Sequence, residues 1–110
     1  MSLLPRVLAA HPNAAHTAVS LLCMPSIRNE LDIPPDATFH HINQNVDGLA
    51  LRSLTSVSEA HEPSSSPPSN SLIQMHGRLF DVLCTDKSCG HVEFNTSSPV
   101  CPALEGTETC

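Results

Sequence analysis

Polar side chains that can bind a ligand cluster in the stretch "NQNVDG" at residues 43–48. Gln44, Asn45 and Asp47 follow a short strand-like segment, and side chains at the carboxyl end of a strand bind ligands in open α/β sheets. The alternative is a capped turn, because Asn and Asp hydrogen-bond their own backbone and Gly48 allows a positive φ. Taken alone, the residue types favour the capped turn.

A histidine suited to proton transfer stands in "QMHGRLF", where His76 lies at a bend between two apolar segments. Imidazole exchanges protons near neutral pH, so a histidine that faces a pocket is a candidate general base. The chain contains seven histidines, and a single histidine is more often a hydrogen-bonded structural residue. The neighbours of His76 do not by themselves distinguish it from the other six.

A cysteine pair, Cys84 and Cys89, is separated by four residues, which matches the ligand spacing of structural zinc sites. Such a site needs four ligands, and the other candidates are Cys101, Cys110 and His91. The alternative is that both cysteines are small, half-buried apolar residues at the base of a hairpin. The odd number of cysteines, five, favours an intracellular metal site over a secreted disulfide framework.

The first part of the chain is predicted to be mainly helical. An apolar helix spans 3–10 and ends before Pro12, which lacks an N–H. Asn13 is a good N-cap for a second helix that runs to about Cys23, a thiol expected to pack among leucines. A connection with one helical turn at 28–31 and a strand at 38–42 follow.

The rest of the chain is predicted to contain strands after an irregular insertion. Segment 55–71 is rich in Ser and Pro and predicts disorder, because it cannot bury enough apolar surface. Order is expected to resume at Leu72, with strand-like pieces on either side of Gly77. The stretch "CTDKSCGHVEF" predicts a hairpin with a cysteine at each end of its turn. The chain thus divides into 1–54, the insertion 55–71, and 72–110.

Composition excludes two classes of partner. The formal net charge is -6 with only five Lys and Arg, whereas nucleic acids and anionic membrane surfaces are bound mainly through clustered positive charge. No apolar run approaches the roughly 18 residues that a membrane-spanning helix needs. With 110 residues, three Phe and neither Trp nor Tyr, the chain is expected to have a small core.

Four motifs taken in order resemble the middle of the sirtuin family of NAD-dependent protein-lysine deacylases: "INQNVDGL", "LIQMHGRLF", "CTDKSCGHVE" and "PVCPAL". "PRVLAAHPNAAHTAV" is similar to a helix of that family, and "PVCPAL" resembles its desuccinylating and demalonylating branch. The resemblance covers nearly the whole chain except the Ser/Pro segment. It implies an α/β fold, namely a partial Rossmann-like domain with part of a small zinc-binding module, truncated at both ends.

The resemblance also implies roles for individual residues. Asn45 and Asp47 would line the pocket for the nicotinamide end of NAD, with Gln44 near the ribose. His76 would be the general base on a ribose hydroxyl, after the carbonyl oxygen of an acyl-lysine protein or peptide attacks the anomeric carbon and nicotinamide leaves. Cys84 and Cys89 would be the first pair of a four-cysteine structural zinc site.

The sequence departs from the family pattern at several points. Asn43 stands where the family usually has Thr, Ala50 where it usually has His, and the cysteine spacing is four rather than two. A glycine-rich phosphate loop is missing from these 110 residues. We therefore expect the isolated chain to have no measurable deacylase activity. The alternatives are a non-catalytic zinc-binding product and a remnant that does not fold.

Overall fold

The computed structural model describes residues 3–63 and 71–97, which form a mixed α/β arrangement. Strand β1 pairs with β2 in parallel, and β3 pairs with β4 in an antiparallel hairpin. The described helices are α1 (Leu3–Ala9), α2 (Ala14–Leu22), α3 (Pro25–Glu30) and α4 (Leu49–His61), and the described strands are β1 (His41–Asn43), β2 (Leu72–Gln74), β3 (Asp81–Leu83) and β4 (Val92–Phe94).

Helix α2 begins and ends where its sequence predicts. The Oδ1 atom of Asn13 accepts hydrogen bonds from the backbone N–H groups of Ala15 at 3.0 Å and His16 at 3.2 Å. The His16 side chain accepts in return from the backbone N–H of Asn13, which completes a capping box. Cys23 is the C-cap, so both predicted ends of this helix are confirmed.

Helix α3 is longer than the single turn predicted at 28–31. Pro25 occupies its first turn, where the missing N–H of proline costs no hydrogen bond. The guanidinium of Arg28 donates to the backbone carbonyls of Leu22 and Cys23, both at 3.0 Å. These two bonds satisfy carbonyls at the end of α2 and fix α3 against it.

Helix α4 corrects the predicted start of the disordered insertion. It continues to His61, so residues 55–61 are helical, and residues 64–70 of the predicted insertion lie outside the described residues. Leu54 and Val57 are buried at helical spacing. On the face toward α2, the hydroxyl of Ser20 donates to that of Ser53 at 2.9 Å. Ser58, one of the serines whose composition suggests disorder, is buried in the same helix.

The core is small, as the length of the chain predicts. It consists of Cys23, Met24, Leu54 and Val57, with Leu72 among the half-buried residues packed against it. Cys23 is 1% exposed, which confirms the predicted packed thiol. Burial raises the pKa of the Cys23 thiol, although the positive charge of Arg28 opposes the shift. None of the helices in the described ranges has both the length and the apolar character of a membrane span.

Candidate functional site

The parallel pairing of β1 with β2 brings two predicted site segments to the same edge of a sheet. The register pairs His41 with Leu72 and Asn43 with Gln74, so both strands end side by side. The observed β1 is shorter than the predicted strand at 38–42 and ends one residue later. The segments that follow the two strands, 44–48 and 75–80, leave from this common edge, where ligands bind in open α/β sheets.

Backbone hydrogen bonds tie these two segments together. The N–H of Met75 donates to the carbonyl of Asn43 at 3.0 Å, and the N–H of Leu79 donates to the carbonyl of Val46 at 2.8 Å. Between these two bonds, the N–H of Gly77 donates to the carbonyl of Gln74 at 3.1 Å and closes a turn. The position of the second segment relative to the first is therefore fixed on both sides of this turn.

His76 lies within that turn, and its side chain is exposed. The following residue, Gly77, has φ +72°, a value that a side chain would disfavour. Glycine at 77 thus allows the chain to reverse directly after β2 and to present the imidazole at the edge of the sheet. The structure supports the accessibility that a general base needs, and the catalytic role of His76 stays a prediction.

Asn43 shapes the segment that follows β1. Its side chain is buried, and its Oδ1 accepts from the backbone N–H of Asn45 at 3.2 Å while its Nδ2 donates to the carbonyl of Asn45 at 3.1 Å. Asp47 acts similarly, because its Oδ1 accepts from the N–H of Leu49 at the start of α4, at 3.0 Å. The capped-turn interpretation therefore holds for Asp47, whereas Gln44 and Asn45 are exposed.

Asn45 and Asp47 line different spaces. Asn45 borders a cavity of about 210 Å³ together with His16, His41 and Asn43. Asp47 borders a larger groove of about 440 Å³ between α1, the start of α4 and the hairpin, with apolar walls that include Phe80. The structure brings Gln44, Asn45, Asp47 and His76 to neighbouring segments without placing Asn45 and Asp47 in one pocket.

Gln74 is a candidate binding residue that the sequence analysis missed. Its Oε1 atom is buried and has no hydrogen-bond partner within residues 3–63 and 71–97. A buried acceptor without a donor is costly, and such a group at a functional edge is a candidate for bonding to a ligand. The signal in the sequence was a polar residue inside the apolar run "SLIQM".

Arg78 and Asp81 stabilise the turn where the His76 segment enters the hairpin. The guanidinium makes two contacts of 2.8 Å with the carboxylate, from Nε to Oδ2 and from Nη2 to Oδ1. The guanidinium carbon also lies 5.8 Å from the centre of the Phe94 ring, which in turn packs edge-on against Phe80. The charge pair and the edge-on ring contact thus fix the start of β3 relative to β4.

The cysteine pair occupies the hairpin as predicted, and both thiols are exposed. The backbone N–H of Cys84 donates to the carbonyl of His91 at 3.0 Å, and the backbone N–H of Cys89 donates to the carbonyl of Asp86 at 3.0 Å. The alternative of half-buried apolar cysteines is therefore wrong. Across residues 3–63 and 71–97, no group of three or more His, Cys, Asp or Glu side chains could hold a metal.

These cysteines do not fit a closed structural zinc site within the described part of the chain, because they supply two of its four ligands. His91, one predicted additional ligand, instead has its Nε2 3.5 Å from Oε2 of Glu93. The other two predicted ligands, Cys101 and Cys110, lie outside the described residues.

Acid is expected to destabilise the fold through His41. Burial, and secondly the neighbouring His16, lower the pKa of His41 below its ordinary value. The unfolded chain then binds more protons at this residue than the folded chain does. The free energy of unfolding therefore falls as the pH drops through about 6.5, the pKa of histidine in an unfolded chain. Well above that pH, His41 has no such effect.

Urea unfolding at about pH 7.5 and about pH 5.5, on either side of that pKa, measures this effect. We expect His41→Gln to lose less stability on acidification than the wild-type chain does. The same substitution at exposed His11 is the matched control and should leave the wild-type pH dependence unchanged. An equal loss in the wild-type chain and His41→Gln would contradict the assignment to His41.

Comparison with known proteins gives a consistent set of relatives. The chain is 32% identical over 100 residues to the NAD-dependent protein deacylase sirtuin-5, mitochondrial, of Monodelphis domestica, a match that covers 91% of this chain and 25% of that protein. It is 35% identical over 102 residues to the NAD-dependent protein deacylase of Candida albicans, which covers 92% of this chain and 27% of that protein. Sirtuin-5A of Xenopus laevis is 34% identical over 100 residues, with coverages of 91% and 25%.

The chain thus spans about a quarter of the length of these curated relatives. No protein-family profile and no solved structure matches it significantly. The seven similar relatives are all named as NAD-dependent protein deacylases, and besides the fungal protein six of them are of the sirtuin-5 type, from five vertebrate species. Over about a quarter of their length, the chain is therefore similar to sirtuin-type NAD-dependent protein deacylases.

Proposed function

We propose that this chain contributes the nicotinamide-ribose end of the NAD site, and the general base, of an NAD-dependent protein-lysine deacylase. The reaction would transfer an acyl group from a lysine side chain to ADP-ribose and release nicotinamide. The observation that carries the proposal is the parallel register of Asn43 with Gln74, which brings the polar segment 44–48 and the His76 turn to one edge. The names of the curated relatives support the same activity.

The polar groups at this edge suit the nicotinamide-ribose end of NAD. The exposed amides of Gln44 and Asn45 offer donors and acceptors to hydroxyl and carboxamide groups. The buried Oε1 of Gln74 can accept a hydrogen bond from a hydroxyl or carboxamide group of NAD. Asp47 contributes mainly by holding the start of α4 in place through its bond to Leu49.

The diphosphate of NAD fits these residues less well. A glycine-rich phosphate loop does not occur in the 110 residues, and the N–H of Leu49 at the start of α4 is already bonded to the carboxylate of Asp47. A second negative group at that position would be repelled. The described residues therefore suit the nicotinamide-ribose end of NAD. Binding of the diphosphate requires groups that these residues do not supply.

Under this proposal His76 accepts a proton from a ribose hydroxyl. Bound NAD supplies the electrophilic anomeric carbon and the nicotinamide leaving group. The imidazole is exposed on a turn whose flanks are hydrogen-bonded to the segment carrying Gln44 and Asn45. Those bonds hold the backbone of the turn at a fixed position relative to the segment that would bind the ribose, and positioning of the base is the main requirement for efficient proton transfer.

The acyl-lysine protein or peptide would approach the same edge. The groove of about 440 Å³ beside Asp47 has apolar walls from Leu51, Phe80 and Phe94. Its lining suits the aliphatic part of an acyl-lysine side chain.

The assignment of β1, α4 and β2 to a Rossmann-like domain, and of the β3–β4 hairpin to part of a small zinc-binding module, belongs to the same proposal.

A chimaeric enzyme tests the proposal. The matching 102 residues of the Candida albicans relative are replaced by this chain, and deacylation of acetyl-lysine and succinyl-lysine peptides is measured with and without NAD. We expect NAD-dependent turnover from the chimaera and none from a control in which the same residues are deleted. A chimaera that unfolds cooperatively, and so is folded, but shows no NAD-dependent turnover would overturn the proposal.

A further inference from the structure

The groove of about 440 Å³ lies between α1, the start of α4 and the β3–β4 hairpin, and each of these elements supplies apolar side chains to its lining. Val7 and Leu8 come from α1, Leu51 from α4 and Phe94 from β4. Ligand pockets have volumes of roughly 300–1,000 Å³ and mostly apolar walls. The groove is therefore large enough to enclose an apolar ligand group.

The hairpin wall of the groove is held in place by contacts between its side chains. The rings of Phe80 and Phe94 meet edge-on with centres 5.8 Å apart, and the guanidinium carbon of Arg78 lies 5.8 Å from the centre of the Phe94 ring. Phe94 is nevertheless 63% exposed. An apolar ligand that covers this ring would remove it from water, which is favourable.

The helical walls of the groove are joined to each other by a hydrogen bond. The Nη1 atom of Arg52, on α4, donates to the backbone carbonyl of Ala10 at 2.8 Å, directly after the end of α1. Leu8 on the same helix is 46% exposed and lines the groove. The groove thus has walls that are tied together and an apolar surface that still faces solvent.

The charged side chains in the described lining give the groove no excess of positive charge. Arg78 is paired with the carboxylate of Asp81 through two contacts of 2.8 Å. Arg52, the other basic residue in this lining, shares the groove with the carboxylate of Asp47. A negatively charged ligand would meet one charge of each sign, which gives it little net attraction to offset its lost hydration.

We propose that this groove binds a long, uncharged acyl chain, so that the preferred substrates carry medium-chain fatty acyl groups on lysine rather than short or acidic ones. The inference rests on the proposed function, because it assigns the acyl group of the same substrate. Val46 and Asp47 belong both to the groove and to the 44–48 segment. An acyl chain in the groove therefore begins beside the groups proposed to bind the nicotinamide-ribose end of NAD.

The length of the acyl chain sets the expected size of the effect. Each methylene group that the groove covers should tighten binding by roughly fourfold. An octanoyl chain that is only partly covered should still bind at least about tenfold more tightly than an acetyl group. A succinyl group is short and ends in a carboxylate, so it should bind no more tightly than acetyl.

Calorimetry on the whole 110-residue chain tests this preference. The ligands are peptides of one sequence whose single lysine carries an octanoyl, an acetyl or a succinyl group, with the unmodified peptide as a blank. We expect the octanoyl peptide to bind most tightly, by the factor given above. Equal binding of the octanoyl and acetyl peptides, tighter binding of the succinyl peptide, or no binding of the octanoyl peptide would each overturn the proposal.

This experiment fails independently of the proposed function, because it contains no NAD and measures no turnover. A chimaera that deacylates lysine in an NAD-dependent way, together with tighter binding of the succinyl peptide by the chain, would leave the proposed function standing and remove this inference. Tight octanoyl binding with an inactive chimaera would give the opposite result.

Two exposed leucines supply matched variants that locate the bound chain. Leu8 lines the groove, whereas Leu31 is 56% exposed at the end of α3 and is not part of the lining. Leu8→Gln should weaken octanoyl binding by about fivefold or more, and Leu31→Gln should bind as the parent chain does. Both should keep the parent circular dichroism spectrum. Equal octanoyl binding by the two variants would show that the chain does not bind in this groove.

Discussion

Replacing His76 by alanine is expected to lower the turnover number of the chimaeric deacylase by about 10²–10⁴-fold, the usual contribution of a general base. The imidazole is exposed on the turn after β2, and its proposed task is to take a proton from a ribose hydroxyl. NAD affinity should change little, because the groups proposed to bind the cofactor lie on the 44–48 segment and at Gln74. Steady-state kinetics with calorimetric NAD binding measure the two effects separately.

His11→Ala is the matched control for this prediction. His11 is also exposed, lies between α1 and α2, and is not among the residues that line the spaces beside Asn45 and Asp47. We expect it to retain the parent turnover. His76 is not the base if His76→Ala keeps most of the turnover, or if it weakens NAD binding as much as it slows the reaction.

Replacing Leu54 by alanine is expected to lower the free energy of unfolding by about 2–5 kcal/mol, the range for truncating a buried leucine. Leu54 is 2% exposed and belongs to the cluster with Cys23, Met24 and Val57. A cavity there also loosens the contact between α2 and α4, and α4 carries the start of the site at Leu49. Urea unfolding of the chain measures the loss.

Leu31→Ala is the matched leucine control, since Leu31 is 56% exposed at the end of α3. Its effect should stay within about 0.5 kcal/mol, as for most surface substitutions. Because small domains have only about 5–15 kcal/mol of stability, the Leu54 variant should be visibly closer to unfolding. Similar effects of the two substitutions would show that the cluster is not the core.

Local signals in the sequence were sufficient to predict several helices and strands. The N-cap at Asn13 depends on one side chain and two nearby N–H groups, so the start of α2 could be read directly. The hairpin around Cys84 and Cys89 was likewise visible from alternation and turn residues. Both features are confirmed because the interactions that decide them lie within a few residues of each other.

Features that depend on distant contacts were not readable. Composition placed disorder at 55–71, but residues 55–61 belong to α4, since Val57 packs into the core and Ser53 meets Ser20 on α2. The bond between these hydroxyls joins positions 33 residues apart. A serine that a helix contact requires looks the same in sequence as a serine in a linker.

The positions of the candidate site residues were predictable, whereas their catalytic and binding roles stay predictions. The 44–48 segment and His76 were singled out correctly as neighbours of strand ends, and the parallel register of β1 with β2 explains why they meet. Only the structure shows which of these side chains hydrogen-bond to backbone groups. Asn43 and Asp47 bond to backbone groups, whereas Gln74, which the sequence analysis passed over, holds a buried acceptor without a partner among the described residues.

The central claim is that these residues take part in NAD-dependent lysine deacylation, and the amount of nicotinamide released per deacylated lysine tests it most directly. The folded chimaera is incubated with NAD and an acyl-lysine peptide, and both products are quantified by chromatography and mass spectrometry. The account predicts equal amounts of nicotinamide and deacylated lysine, with the acyl group recovered on ADP-ribose. Deacylation without release of nicotinamide, or with the acyl group recovered as a free carboxylate in the absence of NAD, would contradict it.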